Sequence, residues 1–366
     1  MTGNGRTGKP SVLLVGSFLS ASGGSRQVCE ELAPRLSAAG LSVLTTSSKP
    51  GRAARLADMV STCWRERRRY TAAQVDVFSG PAFIWAEAVC WTLRRAGKPY
   101  ILTLHGGGLP EFFRRRPNRA RALLHSAAAV TVPSGFLLEK LRSYRPDMLL
   151  IPNALEVSRY AFRPRSNPRP ELTWLRAFHP VYNPMLAVQA AARLAGEFAG
   201  LKLTMTGPDK GEGALEETRA LCDSLGLNGR VTFRGPVPKD QVPEAIGAGD
   251  IYLNTTNADN TPVTVLEAMA TGACVVTTRV GGIPYLVEDG AEALLVPPGD
   301  PAAMAAAIRR ILTEPGLAAR LSDAGRKKAE LFDWNTVLPR WISLFESVSG
   351  RECGQPGYQA RRDLSQ

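Results

Sequence analysis

The residues best placed to do chemistry lie in NADNTPVTVLEAMATG, where two carboxylates, Asp259 and Glu267, bracket the start of one predicted helix. Asp259 or Asn260 is positioned to cap that helix, Pro262 suits its first turn, and the N–H groups near Val263 and Thr264 are among the donors that a helix leaves unpaired at its start. Such a terminus attracts phosphate, while Glu267, one turn further in on the face of Val263 and Thr264, is placed for sugar hydroxyls. The chemistry this suits is recognition of a nucleotide diphosphate.

Other loops offer complementary groups. LRAFHPVYNP puts Arg176 at the end of a strand, where a guanidinium grips a diphosphate in bidentate fashion or makes a surface ion pair. TGPDKGEG, with Gly207, has the glycines of a loop passing close to a nucleotide, and also those of a surface turn. GGIP (281–284) is a further Gly-rich strand-to-helix loop. In the first half, Gly23 and Gly24 open a helix after the first strand, where backbone amides cradle an anion or merely let the chain turn. HGGG places His105 after the fourth strand, as a donor to a bound sugar or acceptor or as a structural His. The first loop reads GSFLSASGG rather than GxGxxG and the second strand ends in TTSSK, so NAD binding is disfavoured.

These loops need a scaffold that brings strand ends together. Apolar, β-branched runs recur at 11–16, 42–47, 75–80, 100–105, 128–133 and 148–153, and again at 172–177, 202–207, 230–235, 250–255, 273–278 and 293–298. Helical patterns separate them, which is the signature of parallel sheets built from strand-helix-strand units. The expected fold is α/β, with two Rossmann-like domains facing each other across a cleft: 1–165 binding acceptor and 166–332 binding donor, joined through FRPRSNPRP (162–170). A helix over 333–350 is expected to pack back on the first domain, ahead of a polar tail at 351–366. Open sheets of this kind bind ligands at the carboxyl ends of their strands.

Composition limits the alternatives. With 44% hydrophobic and 21% charged residues spread along 366 positions, a globular chain of two domains fits and a disordered one does not. Six cysteines and three histidines (His105, His125, His179) lack the paired spacing of a zinc site or disulfide framework, so reduced thiols and no protein-held metal are expected. No signal-like or bilayer-length apolar run stands out, which makes a cytoplasmic location the expectation. The net charge of +12 is uneven: residues 1–165 hold 25 Lys and Arg against 10 Asp and Glu, and residues 166–366 hold 20 against 23. RERRR (65–69) beside Trp64, Arg94 and Arg95 after Trp91, and RRRPNRAR (114–121) after Phe112 and Phe113 suit an anionic membrane surface at the inner face of a membrane, or a solvated Arg-rich face. Charge alone also raises nucleic-acid binding, which is not expected here.

From SASGGSRQVCEELAPRL through HGGG, IPNALEVSRY, PVTVLEAMATGACVVTTRVGGIP and ALLVPPGDPAAMAAAI, the chain resembles glycosyltransferase family 4, the retaining GT-B enzymes also called glycosyl transferases group 1. LEAMATG followed by VGGIP is the specific part. The resemblance implies a UDP- or GDP-sugar donor held mainly by the second domain, and a glycan or glycolipid acceptor held by the first. It also implies an acidic pair matching Asp259 and Glu267 on donor sugar and ribose, an arginine matching Arg176 on the diphosphate, and a histidine matching His105 near the reaction centre. Front-face substitution with retention and no metal or other cofactor follow from the same resemblance. Three positions depart from the family pattern: Asp259 stands where Glu is usual, Tyr285 follows GGIP where Glu is frequent, and no Lys follows Arg176 in RAFHPVYN, leaving His179 or Asn183 as partial substitutes. A catalytically impaired nucleotide-sugar-binding protein and a nucleotide-sugar epimerase are the alternatives.

Overall fold

In the computed structural model, which describes residues 9–20 and 27–350, each of the twelve apolar runs becomes a strand. They are Ser11–Val15 (β1), Ser42–Thr46 (β2), Ala72–Val77 (β3), Tyr100–Leu104 (β4), Ala129–Val132 (β5), Leu149–Leu150 (β6), Glu171–Leu175 (β7), Lys202–Thr206 (β8), Val231–Arg234 (β9), Ile251–Asn254 (β10), Cys274–Thr278 (β11) and Leu294–Val296 (β12). Only β3 is displaced noticeably, beginning at Ala72 rather than at 75. Ala72, Ala73 and Gln74 carry little strand preference of their own. Their burial is sustained by the neighbouring strands, and the Gln74 amide donates to Asp76 Oδ1 at 2.7 Å and to Thr103 Oγ1 at 2.9 Å.

All the strand pairs are parallel and form two six-stranded sheets, ordered β2-β1-β3-β4-β5-β6 and β12-β11-β10-β7-β8-β9. Helices cover both faces of the second sheet. Ile251, Leu253, Cys274, Val276, Leu294 and Val296 pack into one core. Tyr252, Val275 and Leu295, the intervening residues, pack into another. This double burial is why the strands read as unbroken apolar runs rather than as an alternation. Each sheet reverses its winding once, between β1 and β3 in the first and between β7 and β10 in the second. At such a switch point the loops above adjacent strand ends diverge to opposite faces and leave a crevice for a ligand.

The chain divides into one unit of Met1–Asn153 with Val337–Gln366 and a second of Ala154–Thr336. The residues just before the Pro-rich segment thus belong to the second unit, because Leu155, Val157 and Tyr160 bury themselves in its core. FRPRSNPRP is not a slack connection. Arg165, only 2% exposed, donates to the carbonyls of Thr271 (3.0 Å), Gly247 (3.1 Å) and Gly249 (3.0 Å) and pairs with Asp250 at 3.0 Å. The final helix, Trp334–Ser349, passes to the first unit from Val337 onward. There Arg340 donates to the Leu150 carbonyl, and Thr71 Oγ1 donates to Ser349 Oγ at 3.1 Å. Among the described residues no helix is long and apolar enough to cross a membrane.

Candidate functional site

The second unit gathers its predicted residues at the switch point between β7 and β10. Arg176 directly follows β7, and the loop after β10 carries Asp259 and leads into the helix Val263–Thr271. The Arg176 guanidinium forms an ion pair with Asp259 and lies 4.4 Å from the centre of the Tyr182 ring, so charge and π-face hold it together. Asp259 therefore does not cap the helix. The cap position belongs to Pro262, whose side chain accepts no hydrogen bond, so the start of this helix has no side-chain cap there. Val263 is exposed, whereas Pro262 is buried and Thr264 half-buried.

Glu267 sits four residues into that helix and accepts a hydrogen bond from the Tyr160 hydroxyl at 2.7 Å. Burial raises its carboxyl pKa above the ordinary glutamate range, against the opposing effects of the Tyr160 bond and the Lys239, Arg176 and Arg159 charges. Tyr160, Lys239 and Arg159 were not recognisable as site residues from sequence. IPNALEVSRY marks the segment but not its tertiary partner. Near the same helix start, Arg176 Nε, Thr261 Oγ1 and Thr264 Oγ1 are buried without a hydrogen-bond partner. Buried polar groups are ordinarily satisfied, so three such atoms around one helix start suit a polar ligand.

Two glycine loops set this geometry. At Gly207 (φ +152°) a Cβ would lie 1.8 Å from the Arg176 carbonyl oxygen, so only glycine lets the loop after β8 press against the arginine's backbone. Gly281 and Gly282 of GGIP do the same for the acidic loop: added Cβ atoms would fall 1.9 Å from the Asp259 oxygen and 1.7 Å from that of Asn260. The Gly282 amide also donates to the Asp259 carbonyl at 2.9 Å. His179, considered above as a replacement for the absent lysine, is already engaged. Its Nδ1 accepts from the Val181 amide at 3.0 Å and its Nε2 meets Glu212 at 3.2 Å. Asn183 adopts a left-handed conformation, its amide 3.5 Å from Asn257 Oδ1.

The first unit has its own polar cluster. His105, 8% exposed at the end of β4, contacts Asp76 Oδ1 through Nε2 at 2.9 Å and stacks on Phe78 with ring centres 5.0 Å apart. Burial opposes ionisation of Asp76, but the His105 charge and hydrogen bonds from His105, Gln74 and Cys29 outweigh it and hold its carboxyl below the ordinary aspartate range. Burial and the Asp76 charge push the Cys29 thiol upward, which marks it as a packed, unreactive group. Asp76 escaped the sequence reading because a lone acid inside a strand has no local signature. Gly23 and Gly24 lie outside the described residues. Among the described residues no three His, Cys, Asp or Glu side chains are grouped to hold a metal ion.

Comparison with known proteins bears on this arrangement. Residues 22–159 match the model described as Glycosyltransferase Family 4, and residues 161–328 match that of Glycosyl transferases group 1. A D-inositol 3-phosphate glycosyltransferase of Acidothermus cellulolyticus is 30% identical over 72% of this chain and 63% of its own length. One of Streptomyces avermitilis is 31% identical over 46% of this chain and 38% of its own. The matched part thus spans less than two thirds of these relatives. In fold, the chain is similar to Anabaena HepE in complex with UDP (TM-score 0.73, 17% identity, 92% of this chain and 100% of that one). It is also similar to sucrose-phosphate synthase from Thermosynechococcus elongatus (TM-score 0.73, 20% identity, 93% and 99%). These solved structures identify the architecture as GT-B.

Proposed function

We propose that the chain, which belongs to glycosyltransferase family 4, moves a sugar with retention from a UDP- or GDP-sugar to a hydroxyl of a glycan or glycolipid acceptor. The observation that carries the reading is the junction of β7 and β10, where Arg176, Asp259, Glu267 and three unpartnered buried polar atoms surround the start of one helix. In this reading Glu267 holds the ribose, Arg176 and the helix amides near Val263 and Thr264 take the diphosphate, and Asp259 contacts the donor sugar. Lys239 and Arg159, whose charges act on Glu267, supply cations that the segment after Arg176 lacks.

The reaction asks most for stabilisation of the leaving diphosphate. The acceptor oxygen bonds to the anomeric carbon on the face from which the phosphate oxygen departs, and that phosphate oxygen takes the acceptor's proton. His105, fixed by Asp76 and Phe78, stands near the acceptor. Positive side chains and helix amides carry the diphosphate charge, so no metal is required in this reading. UDP is the first donor base to test, since HepE is a neighbour seen with UDP.

Incubating the protein with UDP- and GDP-sugars and measuring nucleotide release tests the proposal. Arg176→Ala should lower kcat/KM by roughly 10- to 150-fold, the worth of about 1.5–3 kcal/mol for a charge-assisted contact. Donor binding without turnover, with any acceptor, would instead leave a binding protein. Isomerisation of the donor without acceptor would make it an epimerase. We further propose that the Arg-rich faces of the first unit rest on an anionic membrane surface, with Trp64 (46% exposed) and Trp91 (54%) entering the interface.

A further inference from the structure

Tyr160 reaches Glu267 from the segment that precedes β7, not from any of the strand-to-helix loops that build the rest of the site. Its side chain is 5% exposed and belongs to the same core as Leu266 and Ala270 of the helix Val263–Thr271. The residues before it are anchored one after another. The Leu155 amide donates to the Phe332 carbonyl at 2.8 Å, and the Val157 amide to Asp333 Oδ2 at 2.9 Å. Arg326 Nη1 donates both to the Tyr160 carbonyl at 3.0 Å and to the Ala270 carbonyl at 2.7 Å. One guanidinium nitrogen thus fastens the Tyr160 backbone to the helix that carries Glu267, and a packed, hydrogen-bonded support of this kind keeps a side chain in one geometry.

At the end of this arm the Tyr160 hydroxyl donates to Glu267 Oε1 at 2.7 Å. Glu267 is only half-buried, and among the described residues no other hydrogen bond reaches its carboxylate, so the second oxygen is left to accept from a ligand hydroxyl. A glutamate side chain is long and turns freely, and ordering it at the moment of binding costs affinity. A carboxylate already oriented by a buried donor avoids that cost. The Tyr160 bond is also the largest influence opposing the rise that burial imposes on the Glu267 pKa, ahead of the Lys239, Arg176 and Arg159 charges, and so favours the ionised acceptor. An acceptor held in this way distinguishes ligands by whether the hydroxyl is present, because an analogue without it leaves a desolvated carboxylate unpaired.

We infer that Tyr160 is a positioning residue whose hydroxyl sets the Glu267 carboxylate to select ribonucleotides over their deoxy analogues. The inference rests on the reading in which Glu267 holds the ribose. Calorimetric titration of the full chain with UDP and GDP, and with the 2′-deoxy and 3′-deoxy forms of whichever binds, tests both. The unmodified chain should bind the ribonucleotide at least tenfold more tightly than one or both deoxy forms, and Glu267→Gln should abolish that preference. Tyr160→Phe keeps the buried ring and should shrink the preference at least threefold, whereas a merely structural role would weaken all the nucleotides alike and leave the ratio unchanged. In the Glu267→Gln background, adding Tyr160→Phe should change ribonucleotide affinity less than twofold, because the hydroxyl acts through the carboxylate. This comparison does not depend on the single Tyr160→Phe chain folding, which thermal melting checks. An unchanged ratio in Tyr160→Phe, or a further loss of at least threefold in the double variant, would overturn the inference and leave the ribose assignment standing. No nucleotide binding, no preference in the unmodified chain, or a preference that survives Glu267→Gln would overturn the ribose assignment and this inference with it.

Discussion

At the scale of single residues, Glu267 combines function and cost. Its carboxylate is desolvated on the helix Val263–Thr271, and its pKa is raised chiefly by burial. A folded-state pKa above the unfolded value means that the folded chain holds this proton more tightly. The associated stability is present below about pH 4.5 and is lost as pH rises through the folded pKa. Glu267→Gln keeps an acceptor for the Tyr160 hydroxyl while removing the buried charge. Thermal melting at pH 7 should therefore show a Tm equal to or above that of the unmodified chain, with the difference shrinking toward pH 4. UDP affinity should fall at least tenfold in the same variant. A large drop in Tm would assign Glu267 to structure instead. The sequence singled out Glu267, Arg176 and Asp259 through motif and spacing. It was silent on Arg176 pairing with Asp259, which are 83 positions apart, and on Asp76 supporting His105, because both contacts join different strand ends.

At the scale of elements, the glycines of GGIP act on a loop that precedes them in the chain. The loop after β11 packs so closely on 259–260 that a single methyl group has no room, and the obstacle is backbone rather than a flexible side chain. Gly282→Ala should accordingly destabilise the fold by about 1–3 kcal/mol, as overpacking does. It should also move Asp259 away from Arg176. Urea unfolding measures the first effect, and nucleotide release, expected to fall at least tenfold, the second. An unchanged midpoint and rate would mean that the loop yields freely. Asp250 offers a parallel case at the Pro-rich segment. Burial opposes its ionisation, yet the Arg169 amide and the Arg163 and Arg165 charges hold its pKa below the ordinary aspartate value. A depressed carboxylate contributes stability above about pH 3.9 that is lost as pH falls through the folded pKa. In Asp250→Asn, urea unfolding at pH 7 should show a loss of about 3–5 kcal/mol, because buried Arg165 loses its counter-charge. That loss should diminish as pH falls below 4.

At the scale of the whole molecule, the excess positive charge of residues 1–165 does not translate into a uniformly free basic face. Arg114 and Arg115 share the Glu111 carboxylate at 2.8 and 2.7 Å, and Arg119 pairs with Glu87. Arg67 over Trp64 and Arg95 over Trp91 lie beside exposed indoles instead, at 4.4 and 5.1 Å from the ring centres. Trp64→Ala/Trp91→Ala should therefore reduce cosedimentation with phosphatidylglycerol vesicles more than charge reversal at Arg114 and Arg115 does. Equal association of both variants and the unmodified chain would assign these faces to solubility. The sequence by itself determined the α/β class, the twelve strands and the helix that carries Glu267. Those depend on local pattern: apolar runs buried on both faces, and loops whose glycines and prolines fix their own backbone. Only the tertiary structure decided which side chains meet and where each sheet reverses its winding. Those are relations between strand ends far apart in the chain, and local spacing carries no record of them.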